Sequence, residues 1–326
     1  MKRKRVLSGI QPSGHLHLGN YFGMMQRMIE YQKDNELFTF LVNYHALTTV
    51  TDKERLRKNT LEAASDFLAL GLDPKKSVFW VQSDVPEVTE LTWLLGNVTN
   101  VGLLERAHSY KDKIARGARP SHGLFSYPVL MAADILLFGG EMVPVGKDQK
   151  QHIEMSRDIA LRFNATYGET FIVPEPLIEE TRAVIPGTDG QKMSKSYGNT
   201  IEIFCEKDDL AEKVMGIVTD PTPVDQPKDP EGNVLFQIYS LFLDESGAEE
   251  LRVRFLEPGL KYSQVKRDLI EVIWDFFESY REARRALWED REKVVDVLKD
   301  GAEKARGVAQ GFLKKARENV GLNYWD

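Results

Sequence analysis

Cysteine is almost absent from this chain. Its 326 residues include a single cysteine, Cys205. One thiol excludes any intrachain disulfide and any cysteine cluster that would hold zinc or an iron–sulfur group. Because the chain uses no disulfide for stability, we expect it to reside in a reducing compartment, the cytoplasm. We also expect no resident metal centre.

Long apolar runs and an excess of positive charge are missing as well. No segment approaches the ~20 consecutive apolar residues of a membrane-spanning helix. The basic start Met1–Arg5 precedes a stretch that is too short and too polar for a signal peptide. The formal net charge is −7, so the chain as a whole does not attract nucleic acid. The slightly basic segment Arg281–Asp326 is more typical of a helix face with ion pairs than of an RNA-binding patch.

The first half of the chain alternates apolar strands with helices. Strands are predicted at Arg5–Ile10, Leu37–Val42 and Ser77–Gln82, and amphipathic helical patterns separate them. Strand–helix–strand order predicts an α/β fold with a doubly wound parallel sheet. Ligands of such sheets bind at the carboxyl ends of the strands, where the loops that carry His17 and His45 are expected.

The second half of the chain is richer in helix. Residues 104–182 have helical spacing and are predicted to form a helical insertion. From Val234 to the end no strand pattern recurs, and Ser263 is predicted to cap a helix. We therefore expect a first domain over 1–206, with the insertion inside it, and an all-helical domain over 207–326.

Two short motifs, far apart in the sequence, have the composition of one phosphate-handling site. Gln11–Asn20 places a glycine turn and the imidazole of His17 before a helix, whose first N–H groups suit a phosphate. Lys192–Ser196 places two lysines on a loop that can close on a nucleotide and neutralise a departing pyrophosphate. A lone histidine is usually structural and a lone Lys-x-x-Lys loop is usually a solvated turn. The ordered pair is what indicates function.

An aspartate lies in an apolar helical segment between these motifs. A buried carboxylate is costly unless something binds it, so Asp134 is a candidate ligand-binding residue. Farther on, a glycine, a carboxylate and an amide stand at a strand-to-helix junction, where they suit ribose hydroxyls and an ammonium group: Gly146, Asp148 and Gln149. His152 and the glutamate two residues later do not share a helix face, so we assign them structural roles.

These motifs resemble the signatures of class I aminoacyl-tRNA synthetases. His17-Leu18-Gly19-Asn20 stands where that class has His-Ile-Gly-His, and Lys-Met-Ser-Lys-Ser matches at every position. Asn20 replaces the second histidine, and its amide can hydrogen-bond a phosphate or ribose oxygen without carrying a charge. Gln-Pro-Ser-Gly, Tyr-Pro-x-Leu-Met-Ala-Ala-Asp-Ile-Leu and Val-Pro-Val-Gly-x-Asp-Gln-x-x-His-x-Glu are similar to the tryptophanyl-tRNA synthetase family. The resemblance runs through roughly the whole length and is densest from 5 to 205.

The resemblance implies a role for each motif residue. Asp134 would accept the N–H of an indole ring, which is a donor only and needs an acceptor in an apolar slot. The slot would be lined by Leu7, His45, Met131, Ile135, Val143 and Val145, and the α-ammonium group would be held by Tyr127 and Gln149. ATP would be contacted by Gln11, Ser13, Gly19, Asn20, Gly146, Asp148, Val184, Lys192, Ser194, Lys195 and Ser196. The charge that develops in the transition state would be stabilised by His17, Lys192, Lys195 and Lys113. Lys111 is an alternative to Lys113.

By this resemblance the chain would activate L-tryptophan with ATP and Mg²⁺ and load it onto tRNA(Trp). It also implies a Rossmann-like catalytic domain, a homodimer formed through the insertion, and C-terminal helices that read the anticodon. Three alternatives stay open. A tyrosyl-tRNA synthetase shares both signatures, although the Met-Ala-Ala-Asp-Ile-Leu context argues against it. A small-molecule adenylyltransferase would not need the long helical C-terminus, and a non-catalytic tryptophan- or RNA-binding protein would not need intact His17, Asp134, Lys192 and Lys195.

Overall fold

The computed structural model describes residues 3–12, 14–115, 117, 120–146, 149–178 and 184–324, with the backbone alone at residues 108, 109, 112, 113 and 178. The chain forms two compact units. The first unit consists of Met1–Gly14, Glu30–Glu180 and Asp290–Asp326, and the second consists of His15–Ile29 and Thr181–Glu289. This division by compactness differs from the predicted domains 1–206 and 207–326, which remain a functional prediction.

The first unit contains one parallel sheet. Its strands are β1 (Arg5–Ile10), β2 (Glu36–Leu41), β3 (Ser77–Val81), β4 (Met142–Val145) and β5 (Glu175–Ile178). Their order is β3-β2-β1-β4-β5, and every neighbouring pair is parallel. The predicted doubly wound sheet is confirmed. The strand order reverses between β1 and β4, and this is the point at which such sheets bind ligands.

Helices cover the sheet and make up most of the second unit. In chain order they are α1 (Leu18–Asn20), a π-helical turn (Tyr21–Met25), α2 (Gln26–Glu30), α3 (Asn43–Ala46), α4 (Lys53–Ala69), α5 (Glu87–Gly96), α6 (Val101–Glu105), α7 (His108–Ala115), α8 (His122–Leu136), α9 (Lys150–Tyr167), α10 (Lys207–Met215), α11 (Val234–Ser240), α12 (Glu245–Leu256), α13 (Tyr262–Phe276), α14 (Glu278–Glu289) and α15 (Arg291–Val320). Within the described parts of the chain, none of them is long and apolar enough to span a bilayer.

The stretch 104–182 is not purely helical. It contains α7, α8 and α9, as predicted for the insertion, but it also contributes β4 and β5 to the main sheet. Both strands are four residues long and contain a proline, Pro144 and Pro176. Short strands that are interrupted by proline give no clear apolar run, which explains why the sequence pattern did not predict β5.

The last helix, α15, packs against the sheet of the first unit. Its Gly301 lies so close to β3 that an added Cβ would be 1.8 Å from the carbonyl oxygen of Phe79. Farther along α15, Arg306 and Arg317 form ion pairs with Glu87 and Glu90 of α5. The final helix is therefore part of the first unit, although Thr181–Glu289 of the second unit intervenes in sequence.

The second unit has an aromatic core. Tyr21 and Phe22 in the π-helical turn meet Phe277 and Phe242 at ring-centroid distances of 5.1 Å each. Phe242 in turn lies 5.2 Å from Phe276. These edge-to-face contacts join the turn that follows the first signature to aromatic residues farther along the same unit. Here α13 begins one residue before the predicted cap Ser263, with Lys261 at the N-cap position.

Candidate active site

Asp134 lies at the centre of a buried hydrogen-bond network in the first unit. It stands in α8 and is 3% exposed. The Nε2 of His45, in α3 after β2, lies 2.8 Å from Asp134 Oδ2. The Nε2 of Gln82, directly after β3, donates to both carboxylate oxygens at 2.8 Å. Since a carboxylate only accepts, His45 donates its Nε2–H.

Gln82 is held in this orientation by the loop after β2. The backbone N–H of Tyr44 donates to Gln82 Oε1 at 3.0 Å, so the amide nitrogen is the group that faces Asp134. Asn43 and Ser83 tie the same two loops together, because Asn43 Nδ2 donates to Ser83 Oγ at 2.8 Å. The parallel register, in which Leu41 pairs with both Ile10 and Val81, brings these loops to one edge of the sheet.

The electrostatics of Asp134 are set by burial. Loss of solvent raises the pKa of its carboxyl above the ordinary value, and the hydrogen bonds from His45 and Gln82 oppose that rise. A carboxylate has about four acceptor positions on its two oxygens. The network therefore stabilises a buried acceptor that can take a further N–H donor.

A second network joins the two residues that were predicted to hold an ammonium group. His152 Nδ1 lies 2.8 Å from Gln149 Oε1, and His152 Nε2 lies 3.0 Å from the hydroxyl oxygen of Tyr127. The Gln149 oxygen accepts, so Nδ1 carries the proton, and Nε2 then accepts the hydrogen of the Tyr127 hydroxyl. The ring of Tyr127 stands edge-on to that of His45 with centroids 6.2 Å apart, so the two networks adjoin.

The predicted apolar lining is brought together around the same helix. Leu7 of β1, Ile135 of α8 and Val143 of β4 are buried in one core cluster. Met131 and Val145 are partly buried and pack against that cluster. The residues that sequence reasoning assigned to one slot therefore share one apolar region of the first unit.

The first signature lies in the second unit and pairs with the segment after the lysine loop. The N–H of Leu18 donates to Ile201 O at 3.0 Å, and the N–H of Ile203 donates to Leu16 O at 3.1 Å. Asn20 accepts from the backbone N–H of His17 at 3.2 Å through its Oδ1. Asn20, which stands in place of the second histidine of the signature, therefore caps the turn that carries the first histidine, His17.

His17 is buried and neutral. It is 6% exposed, and Nδ1 has no hydrogen-bond partner among the described residues. Burial, aided by the positive charge of Lys195, lowers its pKa to about 4. At pH 7 the imidazole is thus a neutral hydrogen-bonding group, and its catalytic role stays a prediction.

The lysine loop keeps its charged side chains at the surface. Lys192 and Lys195 are exposed, and a short 3-10 turn runs from Lys195 to Tyr197. Ser194 and Ser196 lie with their hydroxyl oxygens 2.8 Å apart. The two serines thus flank Lys195 in sequence and contact each other.

The remaining predicted ATP residues are less informative. Gln11 and Val184 are exposed, and Gly146 accepts from the N–H of Gln149 at 2.9 Å through its carbonyl. Ser13 and Asp148 lie outside the described residues, as does the side chain of Lys113. These assignments stay predictions.

The sequence did not identify Gln82 as a partner of Asp134. It also did not predict that His152 contacts both Gln149 and Tyr127. Gln82 was interpreted as the last residue of a strand, although its position at the carboxyl end of a parallel strand was a usable signal. His152 was assigned a structural role, and both of its ring nitrogens lie within hydrogen-bonding distance of predicted substrate-binding side chains. The spacing of Gln149 and His152, three residues apart on one helical turn, could have predicted their contact.

Comparison with known proteins agrees with this geometry. The family model "tRNA synthetases class I (W and Y)" matches residues 1–278. The chain belongs to the class I tRNA synthetases for tryptophan and tyrosine. Several relatives that are 50–54% identical to it carry the name Tryptophan--tRNA ligase. The Tryptophan--tRNA ligase of Fusobacterium nucleatum is 54% identical over 320 residues, which cover 98% of each chain.

Solved tryptophanyl-tRNA synthetases share the fold throughout. The Campylobacter jejuni enzyme, complexed with ADP and tryptophan, is 53% identical with a TM-score of 0.93 and covers 97% of this chain and 99% of its own. The Mycoplasma pneumoniae enzyme is 30% identical with a TM-score of 0.81 and covers 98% of both chains. A tyrosyl-tRNA synthetase from Archaeoglobus fulgidus shares the fold alone, at 21% identity and a TM-score of 0.67 over 86% of this chain and 90% of its own.

Proposed function

We infer that this chain is an ATP-dependent ligase that activates L-tryptophan and transfers it to the terminal ribose of tRNA(Trp). The observation that carries this function is the buried Asp134 carboxylate, held by His45 and Gln82 in an apolar region. An indole N–H completes the hydrogen bonding of such a carboxylate. A phenyl ring offers no donor, and a phenol differs because it both donates and accepts.

The amino-acid end of the substrate is taken by the second network. We propose that Tyr127 and Gln149 receive the α-ammonium group with their side-chain oxygens. The contact with His152 supports this proposal, because it turns the hydroxyl hydrogen of Tyr127 away and leaves oxygen as the group that meets a cation. The apolar side chains around α8 would enclose the indole ring.

Activation is an in-line displacement at phosphorus. A carboxylate oxygen of tryptophan attacks the α-phosphorus of ATP, the bond to the β-phosphate bridging oxygen breaks, and pyrophosphate leaves with that electron pair. Lys192 and Lys195 would neutralise the charge that develops on the leaving group. Neutral His17 and the amide of Asn20 would hydrogen-bond phosphate oxygens.

Mg²⁺ would enter with the nucleotide. The described residues contain no cluster of metal-binding side chains, and Mg²⁺ is commonly held by substrate phosphates with few protein ligands. We therefore propose MgATP as the substrate rather than a resident metal. It would supply further neutralisation of phosphate charge.

In the second step, a hydroxyl of the tRNA terminal ribose attacks the carbonyl carbon of tryptophanyl-adenylate and AMP departs. We propose that residues 207–326 contact the tRNA and that residues 1–206 perform both chemical steps.

We further propose a cytoplasmic homodimer. The homodimer is proposed from the resemblance to the family, which implies an interface formed through the insertion. The mass of the protein in solution tests this proposal.

Amino-acid-dependent exchange of labelled pyrophosphate into ATP tests the central function. Each of the twenty amino acids is assayed separately, without tRNA. Exchange with tryptophan alone is the expected result. Exchange with tyrosine instead would identify the tyrosine enzyme, and no exchange with any amino acid would favour a non-catalytic binding protein.

A further inference from the structure

A tight turn precedes the lysine loop and is closed by one carboxylate. The N–H of Gly190 donates to Gly187 O at 3.0 Å, and the N–H of Gln191 donates to Asp189 Oδ1 at 3.0 Å. The same Asp189 oxygen accepts from Asn199 Nδ2 at 2.7 Å. The hydrogen bond from Asn199 is the largest cause of a lowered pKa at Asp189. The turn before the lysines is thus tied to a residue after them.

Asn199 is buried beneath the lysine loop. It is 2% exposed, and its side chain spans the loop from inside. Its Oδ1 accepts from the backbone N–H of Ser194 at 2.8 Å, and its Nδ2 donates to the backbone carbonyl of Lys192 at 3.1 Å. Its own carbonyl accepts from the N–H of Thr188 at 3.0 Å. One amide therefore holds the backbone at the first lysine and at the serine that precedes the second.

The surrounding residues leave room for this amide and for little else. A Cβ added at Gly187 would lie 2.3 Å from both Cγ and Nδ2 of Asn199. Such a contact is too short for any side chain, so glycine is required there by the position of the asparagine. Gly187 before the lysine loop and Asn199 after it therefore pack directly against each other.

The chemistry of the loop depends on backbone placement. Lys192 and Lys195 are exposed, and the backbone beneath them fixes where their ammonium groups can reach. A misplacement of about 1 Å can cost about a hundredfold in rate when a group acts in the transition state. Removing Asn199 would leave the N–H of Ser194 and the carbonyl of Lys192 without their buried partner, and the loop would rearrange to satisfy them.

We propose that Asn199 is the positioning residue of the lysine loop, which it locks through Ser194, Lys192 and Asp189 in the conformation that neutralises pyrophosphate. This inference rests on the proposed function, because it assigns Asn199 an effect on adenylate formation. Asn199 does not contact substrate itself. It acts through the backbone that carries Lys195.

A double-mutant cycle between Asn199 and Lys195 tests the proposal in the full-length protein. The variants are Asn199→Ala, Lys195→Ala and the double substitution, and the readout is kcat for tryptophan-dependent pyrophosphate exchange. Asn199→Ala alone should lower kcat by about 10- to 100-fold. In the Lys195→Ala background the same change should lower kcat by less than about threefold, because the lysine that it positions is absent.

Asn233→Ala is the matched control. Asn233 is also a buried asparagine of the second unit, and it caps α11 by accepting from the N–H groups of Leu235 and Phe236. Its loss should lower thermal stability by a similar amount and should show no coupling to Lys195. Binding of labelled tryptophan by equilibrium dialysis without ATP should be unchanged in both asparagine variants.

The exchanged pair Asp189→Asn with Asn199→Asp keeps the test valid if Asn199→Ala misfolds. Asn199→Asp alone places two carboxylates in contact and should lower kcat. The exchanged pair restores a hydrogen-bond donor between positions 189 and 199, so the double variant should recover part of the lost activity. Equal fold-losses of kcat from Asn199→Ala in both Lys195 backgrounds, or a parallel loss of tryptophan binding, would overturn the proposal. If the wild-type protein itself shows no tryptophan-dependent exchange, the proposed function fails instead.

Discussion

The backbone N–H of Gly19 donates a hydrogen bond to the Sδ of Met193 at 3.2 Å. A Cβ at position 19 would lie 3.2 Å from Met193 Cβ and 3.0 Å from His17 Nδ1, so any side chain there would press on both neighbours. The methionine between the two lysines is thus the buried anchor of the loop, while the lysines stay at the surface. Two signatures that are more than 170 residues apart share one contact.

Lys195→Ala should depress adenylate formation far more than tryptophan binding. The side chain of Lys195 is exposed on the anchored loop, where its interaction strengthens as charge develops on the leaving pyrophosphate. One such donor is worth roughly 3 kcal/mol, or about two to three decades in rate. The measurements are kcat for pyrophosphate exchange and the dissociation constant of tryptophan. A normal kcat with only a raised Michaelis constant for tryptophan would refute the assignment.

Asp134 should set the preference for tryptophan over phenylalanine and tyrosine. Asp134→Ala removes the acceptor for the indole N–H and leaves His45 and Gln82 without their partner, so tryptophan activation should fall steeply. Loss of a buried partner costs about 1–3 kcal/mol, and more when the partner is charged. Discrimination against phenylalanine should weaken, because the alanine pocket no longer penalises a ring without a donor.

Asp134→Asn should lie between wild type and Asp134→Ala, since its amide oxygen still accepts. All three proteins are compared in pyrophosphate exchange with tryptophan, tyrosine and phenylalanine, after circular dichroism has verified folding. If selectivity is unchanged in the folded alanine variant, the carboxylate is structural and specificity resides in His45 or in the shape of the pocket.

His17 should make stability depend on pH. Its pKa is about 4 in the folded chain, against an ordinary value of 6.5. Between these values the unfolded chain binds the proton and the folded chain does not, so stability is full above pH 6.5 and falls as pH drops toward 4. At pH 5 the loss should be about 2 kcal/mol. Urea unfolding of wild type and His17→Gln at pH 7.5 and pH 5 measures it, and identical pH dependence in both proteins would exclude this role.

Gly301→Ala should destabilise the first unit. The added methyl would meet the backbone of β3, 1.8 Å from Phe79 O, and a strand backbone cannot move aside as a flexible side chain can. Overpacking of this kind costs about 1–3 kcal/mol. Gly307→Ala and Gly311→Ala in the same helix have open space around them and should raise stability by up to about 1 kcal/mol. Thermal unfolding of the three variants decides whether α15 packs as described.

Charge reversal on α15 should separate tRNA charging from amino-acid activation. Truncation from residue 207 would remove α15 and expose β3, so point substitutions at the exposed Lys314 and Lys315 are the better probe. Lys314→Glu and Lys315→Glu should lower the rate of tRNA aminoacylation and leave pyrophosphate exchange unchanged. The expected loss should grow at low salt, because phosphate contacts are electrostatic. If these and other exposed basic residues beyond Ser263 leave charging intact, the tRNA contact assigned to the C-terminal helices is wrong.

Local sequence patterns were sufficient for the main strands and for the motifs. The first strand was predicted at its observed bounds, Arg5–Ile10. The second was predicted at Leu37–Val42 and is observed one residue earlier, at Glu36–Leu41. Continuous apolar runs identify buried parallel strands because both faces of the sheet are covered. The two signatures were recognisable because their chemistry is concentrated in short segments of consecutive residues.

Tertiary structure alone decided which residues complete the site. The sequence determined that an aspartate stands in an apolar helix and therefore needs a partner. The resemblance placed His45 in the same slot, but neither His45 nor Gln82 was identified as a hydrogen-bond partner of Asp134. They are 89 and 52 residues away and reach Asp134 only through the register of β1, β2 and β3. Long-range hydrogen bonds depend on how strands align and where helices pack, and no local periodicity encodes that alignment. The hydrogen bonds of Asn199 with Ser194, Lys192 and Asp189 span only 5, 7 and 10 residues, but they depend on the backbone conformation of the turn, which no periodicity encodes either.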